Sequence, residues 1–261
     1  MNYKKFEHLN AQGHPWIIVT VEQLWGALYA LKYNKPEQIA DKKIWADMFL
    51  KAKNEAIALG AETICIRIRL EYEASLFQSI FEELGFKKIA GRIEYQQNIN
   101  SLPDNENSPV IWKSAQDLNW SHDQIAHFTQ SVIKGDPSID PNERPEDFIQ
   151  DWLTHEELTH GLDCISIGFY NGQAIALVVA QVKQHSGWSR ISYMGIIPEF
   201  RKIGLGKWIH RQGFQMMKSQ GGTLYHGGTH SENLAMRKLF ESHDCKFFCE
   251  MEEWAFSVKK K

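Results

Sequence analysis

The chain has 261 residues, 43% of them hydrophobic and 23% charged, which is enough to bury a core without a disulfide or metal framework. Its 29 basic and 32 acidic side chains leave a net charge of −3, so nothing pulls it globally towards nucleic acid or an anionic membrane, and neither is an expected partner. The four scattered cysteines (Cys65, Cys164, Cys245 and Cys249) read as thiols, and there is neither a leader-like stretch in Met1–His14 nor an apolar run long enough to span a membrane, so a cytoplasmic protein is expected.

Length alone predicts about one and a half to two domains, at roughly 150 residues each. The polar, proline-bearing stretch Asn98–Pro109 reads as a linker, dividing the chain into 1–100, a linker at 101–109, and 110–261. In the second part the pattern predicts a strand over Val110–Ala115 and helices over Trp120–Ile133 and Pro145–Thr159, the latter with proline in its first turn. Strands follow over Cys164–Tyr170, Ala174–Val182 and Trp188–Ile197, the first two joined by the hairpin signal Asn171-Gly172. A helix over Leu205–Lys218, a strand over Thr223–His226, a helix over Ser231–Ser242 and an extended segment over Lys246–Val258 complete it. This order predicts an α/β class: a mixed sheet with helices on both faces.

The first part contains a shadow of the second. Ala61–Gln96 and Gly222–Ala255 both read as strand, helix ending in a Leu/Ile-Phe-Glu triplet, then an extended segment. Laying Phe81 on Phe240 places Phe86 on Cys245 and Tyr95 on Trp254, the pattern of two units that bury the same faces.

The chemistry is concentrated in Tyr193–Gly206, a strand, a proline stop, and Arg201-x-x-Gly204-x-Gly206 opening a helix. Small residues at a helix start expose several backbone N–H groups, which can surround a phosphate, while Arg201, Lys202 and Lys207 add positive charge. Pro198 lacks an N–H and is expected to splay the end of the Gly195-Ile196-Ile197 strand from its neighbour. By itself the motif also fits a plain strand-to-helix turn, and Asn233 by itself fits a residue capping the following helix.

Taken with Asn233-Leu-Ala-Met-Arg-Lys-Leu-Phe240-Glu241, these residues resemble the GCN5-related N-acetyltransferase (GNAT) superfamily over roughly residues 108–258. The resemblance implies a GNAT-like acyl-CoA N-acyltransferase fold in the second part and a truncated, degenerate GNAT-like half in the first, which lacks the glycine motif. It assigns acetyl-CoA contacts to Gly195, Ile196, Ile197, Arg201, Lys202, Ile203, Gly204, Leu205, Gly206, Lys207, Asn233 and Phe240. The family often has Tyr at the Phe240 position, whose hydroxyl protonates the departing thiolate. Here Tyr193, Tyr225, His226 or a water would have to supply that proton, or the domain binds acyl-CoA without efficient transfer. Asp244-Cys245 stands where the family has Gly-Phe, which is read as a packing change.

The activity implied is transfer of an acetyl group from acetyl-CoA directly to a primary amine of a small molecule or peptide. The alternatives are a catalytically weak acyl-CoA-binding or interaction module, and another acyl acceptor on the same fold. Transfer needs orientation, a base and an anion hole, the last expected from the backbone N–H of Ile196 or Ile197. Base candidates are Glu250, Glu252 and Glu253 on the last segment with His226 and His230, and the favoured catalytic set is Tyr193, His226 and Glu250. The acceptor would be chosen by the loops around Asp136–Glu146 and by the first part of the chain, and a homodimer is compatible with this reading. No metal is expected, because His155 and His160 stand roughly 140° apart around a helix and Cys245 and Cys249 lack zinc spacing.

Overall fold

The computed structural model describes residues 3–9, 15–25, 28–34, 41–70, 74–102, 107–136, 139, 144–155, 157–183 and 185–258. They form two compact units.

The first unit comprises Met1–Ile93, His230–Glu232 and Cys249–Lys261. Strands β1 (Tyr3–Leu9), β2 (Pro15–Trp25) and β3 (Leu28–Tyr33) pair antiparallel in sequence, and β3 runs parallel to β4 (Thr63–Arg69). The last strand, β11 (Lys246–Ser257), pairs antiparallel with β4 through Met251–Ser257. Between β3 and β4, helix α1 (Lys42–Ala58) starts at Asp41, whose carboxylate accepts the Lys43 N–H. It buries Trp45, Met48, Phe49, Ala52 and Ala56, spaced so that all lie on one face. That face meets the inward set Ile64, Ile66 and Ile68 of β4 and the buried residues of α2 (Ala74–Glu83) in one apolar cluster. Trp45 stacks on Phe49 at 5.6 Å and meets Phe77 edge-on at 5.1 Å, while Phe81 touches Trp254 of β11 at 6.0 Å. Deleting one such ring, as in Phe49→Ala, costs about 3–5 kcal/mol.

The second unit comprises Glu94–Thr229 and Asn233–Phe248. Its strands are ordered β10 (Leu224–His230), β9 (Trp188–Ile196), β8 (Gln173–Val182), β7 (Ile165–Tyr170) and β6 (Ile111–Ser114), with the end of β5 (Lys87–Asn98) beside β10. Only β9 with β10 is parallel among the pairs from β6 to β10. Every residue from Ile175 to Val182 is buried, as a central strand covered on both faces requires. The Asn171-Gly172 hairpin has φ of 49° and 81°, the paired left-handed geometry of a tight two-residue turn. Helix α3 (His122–Ile133) opens with a reciprocal capping box between Ser121 and Gln124, and α4 (Pro145–Thr154) opens on Pro145. Helices α5 (Gly206–Ser219) and α6 (Leu234–Ser242) precede and follow β10.

The element order matches the one read from the sequence, with differences that have local causes. Helix α4 stops at Thr154, because Thr159 leaves it to pair with β8: its N–H donates to Val182 O and its hydroxyl accepts the Val182 N–H. Strand β10 runs four residues past His226, through Gly227-Gly228. A Cβ at Gly227 would collide with the Tyr225 hydroxyl, and one at Gly228 with the Glu94 carboxylate. The stretch read as a linker is in part tied down, since Ile99 N–H donates to Thr223 O and Lys218 Nζ to Leu102 O, while residues 103–106 lie outside those described. The compact units divide between Ile93 and Glu94 rather than at 101–109, and the first unit takes in Cys249–Lys261.

Candidate active site

β9 and β10 pair only at Trp188–Leu224 and Ser189–Tyr225 and then part, whereas β9 stays paired with β8 as far as Ile196. Parting begins at residue 190, well before Pro198, so the proline is not its cause. The cause lies at Ser192, which the β8 register skips as a bulge between Ile191 and Tyr193. Arg190 Nε donates to Ser192 Oγ at 2.9 Å, Ser192 Oγ donates to the buried Gln181 Oε1, and Arg190 Nη2 reaches Gln181 Oε1 at 3.1 Å and Asp151 Oδ2 at 3.2 Å.

The opening exposes backbone groups selectively. Ile197 N–H donates to Ile175 O of β8, so it is not directed at the opening and does not fit the anion-hole role expected of it. Alternation along the antiparallel ladder turns the Ile196 N–H the other way, towards the opening. The Ile196 carbonyl accepts from Arg201 Nε at 2.8 Å.

The Arg201–Gly206 turn follows. Arg201 directs its remaining guanidinium donors to Val132 O and Lys134 O, both at 2.8 Å, and to Gly135 O, so it pins the turn to the end of α3 instead of presenting its charge. Lys202 and Gly204 take φ of 65° and 84°. A Cβ at Gly204 would meet nothing within 4 Å, and one at Gly206 only Leu239 of α6 at 4.0 Å. Leu205 caps α5 without a side-chain hydrogen bond, and among the described residues no backbone acceptor takes the N–H groups of residues 202–207. Left-handed residues at 202 and 204 beside a helix start can aim N–H groups into one concavity, which suits an anion. Lys202, Ile203 and Lys207 are exposed around it.

The face of β9 that carries α3 and α4 is different. Tyr193 stacks on Trp152 of α4 at 6.1 Å, and its hydroxyl donates to Asp136 Oδ2 at 3.4 Å. Burial first, and then the Asp136 charge, push the Tyr193 hydroxyl well above its usual range, so it stays protonated at neutral pH. Gly195 lies on this face, where a Cβ would press on Val132 and the Tyr193 hydroxyl. On β10, Nδ1 of the half-buried His226 accepts from Trp188 Nε1 at 3.4 Å, and Nε2 lies 3.3 Å from Glu94 Oε2 without hydrogen-bond geometry. Glu94 and Trp188 are the residues sequence reasoning missed. A single Glu on an alternating strand carries no local signal, and nothing in the sequence brings β5 to β10.

Other expected site residues have the following neighbours. Asn233 caps α6, its Oδ1 accepting the Met236 N–H at 3.1 Å. Phe240 is buried and stacks on Tyr95 at 4.6 Å. Glu250 is exposed and belongs to the first unit, where Glu252 pairs with Lys88 and Glu253 with Arg67. Tyr225, the other hydroxyl considered, is buried, and its oxygen lies 3.3 Å from His210 Nε2, while His210 Nδ1 lies 3.0 Å from His243 Nδ1. Of the acceptor loop around Asp136–Glu146, residues 137–138 and 140–143 lie outside those described.

Residues 126–245, which include β9, the glycine turn and α6, match the acetyltransferase (GNAT) family. That stretch of the chain is similar to a GNAT domain. Its fold is similar to that of a GCN5-related N-acetyltransferase from Sphaerobacter thermophilus, at 9% identity and a TM-score of 0.72, over 98% of this chain and 81% of that one. It is also similar to a tandem GNAT protein from the clavulanic acid biosynthesis pathway, at 7% identity and a TM-score of 0.59, over 99% and 84%. A GCN5-related N-acetyltransferase from Kribbella flavida aligns at 13% identity and a TM-score of 0.64, over 94% and 88%. No curated protein matches the chain. Family and fold thus support acetyltransferase activity in general, and GNAT proteins generally use acetyl-CoA or another acyl-CoA. The matched stretch contains both the parted strands and the N–H groups at the start of α5 for which no backbone acceptor stands among the described residues.

Proposed function

We propose that this protein transfers an acetyl group from acetyl-CoA directly to a primary amine of a small molecule or peptide. The observation that carries the reading is the parting of β9 from β10 immediately before a helix start whose N–H groups have no backbone acceptor. Those donors, with Lys202 and Lys207, suit the diphosphate of CoA, and the outward Ile196 N–H suits the carbonyl oxygen as charge develops on it. Acetyl-CoA would supply an acyl group already activated as a thioester. The protein then has to orient an amine, remove its proton and hold the oxyanion, and needs no nucleophile of its own. Tyr193, held protonated, can donate a hydrogen bond on the α3–α4 face.

One observation favours a second reading, an acyl-CoA-binding module with weak turnover: Phe240 has no hydroxyl and is sealed in the core against Tyr95. A single comparison separates the readings. Acetyl-CoA at 100 times its dissociation constant adds about 2.7 kcal/mol to native stability, a shift of roughly 5 °C or more for a chain of this size. Gly204→Glu should abolish that shift by placing a carboxylate at the anion site, while its own melting point without ligand reports the backbone strain separately. An undiminished shift in the variant overturns the cofactor assignment. A shift in wild type with no turnover across a broad amine panel selects the binding module.

A further inference from the structure

Resting on the acetyl-transfer reading, we infer that Glu94 is the base that takes the proton of the acceptor amine, and that His226 and Trp188 are its positioning residues. The argument starts from the indole of Trp188. An indole N–H can only donate, so His226 Nδ1, 3.4 Å away, must be the accepting nitrogen. The neutral imidazole then carries its proton on Nε2, the nitrogen that lies 3.3 Å from Glu94 Oε2. Nδ1 is thereby given to the indole and Nε2 carries the proton, close to Glu94 without hydrogen-bond geometry, so the neutral ring keeps no free lone pair with which to receive a proton from an amine. The carboxylate beside it does.

The placement of that carboxylate follows from a glycine. Glu94 lies against Gly228, and any Cβ at Gly228 would displace it. Counting on from the last paired residues, Ser189 and Tyr225, Gly228 stands level with Ser192, where β9 has already turned away. Across the opening Gly195 lies on the same face, under Val132 and the Tyr193 hydroxyl. Glu94 thus stands on the face of β10 that carries His226, its side chain 12% exposed. An ammonium group is drawn to a carboxylate so placed, and the carboxylate can relieve it of a proton. The neutral nitrogen then uses its lone pair to form the C–N bond, and the C–S bond breaks with its electron pair going to sulfur. One amine proton leaves to solvent through Glu94 and a second ends on sulfur, so atoms and charge balance.

The first test needs no ligand. Imidazole ¹⁵N shifts of the unliganded protein at pH 8 should show His226 as the Nε2–H tautomer, and Trp188→Phe should reduce that preference. An Nδ1–H tautomer in wild type overturns the positioning chain. The second test is kinetic. Glu94→Gln should lower kcat at least about 100-fold with an alkylamine that is protonated at pH 7, and less than about 10-fold with 2,2,2-trifluoroethylamine, which is already largely neutral. The thermal shift given by acetyl-CoA should be retained in the variant. Equal losses with both acceptors, or no loss, overturn the base assignment while the acetyl-transfer reading stands. Absence of an acetyl-CoA shift in wild type overturns that reading and this inference together.

Discussion

Asp244 and Gly85 close equivalent helices with the same hydrogen bonds. In one, Cys245 N–H returns to Phe240 O at 3.0 Å, and in the other Phe86 N–H returns to Phe81 O at 2.8 Å, so the repeat read from Phe81 and Phe240 extends to the turn. The residue before each must be left-handed, with φ of 56° at Asp244 and 82° at Gly85. The Gly-to-Asp exchange is therefore a backbone matter as much as a packing change. Relieving the left-handed side chain, less the greater freedom of an unfolded glycine, makes Asp244→Gly stabilising by about 0.5 kcal/mol. Gly85→Ala should instead destabilise by about 1–2 kcal/mol, the more so because its Cβ would stand 3.3 Å from Phe256. Urea midpoints of the two variants check the opposite signs. A second residue-scale consequence concerns His210 and His243, whose pKa values burial holds below the ordinary histidine range, helped at His210 by His243 and at His243 by Arg211. The unfolded chain then binds protons that the native state refuses, so stability is full above about pH 6.5 and declines as pH falls below it. His210→Gln, which keeps hydrogen-bonding capacity but cannot titrate, should flatten that decline by up to about 1.4 kcal/mol per pH unit. An unchanged slope between pH 6.5 and 5 in urea titrations refutes the assignment.

At the scale of elements, the decisive feature is the bulge in β9. Periodicity made the strand legible and the glycine turn made the following helix start legible, because both are local in sequence. The bulge depends on Gln181, Arg190, Ser192 and Asp151, which come from two strands and a helix, and no window of sequence holds them together. The same contrast explains why α4 was expected to reach Thr159: its helical pattern continues, but the β8 edge takes Thr159 out of it. Replacing Arg190 by Met should leave the buried Gln181 carbonyl short of donors, at a cost of about 1–3 kcal/mol. It should also weaken acetyl-CoA binding, since the parting of β9 from β10 starts at this cluster. Chemical denaturation and a ligand-dependent thermal shift, measured together, separate the two effects, and an Arg190→Met protein with normal ligand affinity shows that the bulge holds without it.

At the scale of the whole molecule, the first unit is assembled from both ends of the chain. Met251–Ser257 pair with β4, and Trp254 is buried against Phe81. Residues 1–109 expressed alone should therefore fail to protect the β4 amides from hydrogen exchange, and adding a peptide of residues 249–258 should restore protection. Fast exchange of β4 in both samples, or slow exchange in both, contradicts this. Sequence by itself determined what local periodicity, turn chemistry and motif can encode: the strand and helix order from 110 to 258, the repeat, the glycine-bearing turn at Arg201–Gly206, and the resemblance to a family. Only the tertiary structure decided that Arg201 serves the α3 carbonyls, that Ile196 rather than Ile197 faces the opening, that Asn233 is a cap, and that Glu94 stands beside His226. Each of these depends on which donors and acceptors distant segments leave unsatisfied when they pack, and that accounting exists only once the strands have found their neighbours.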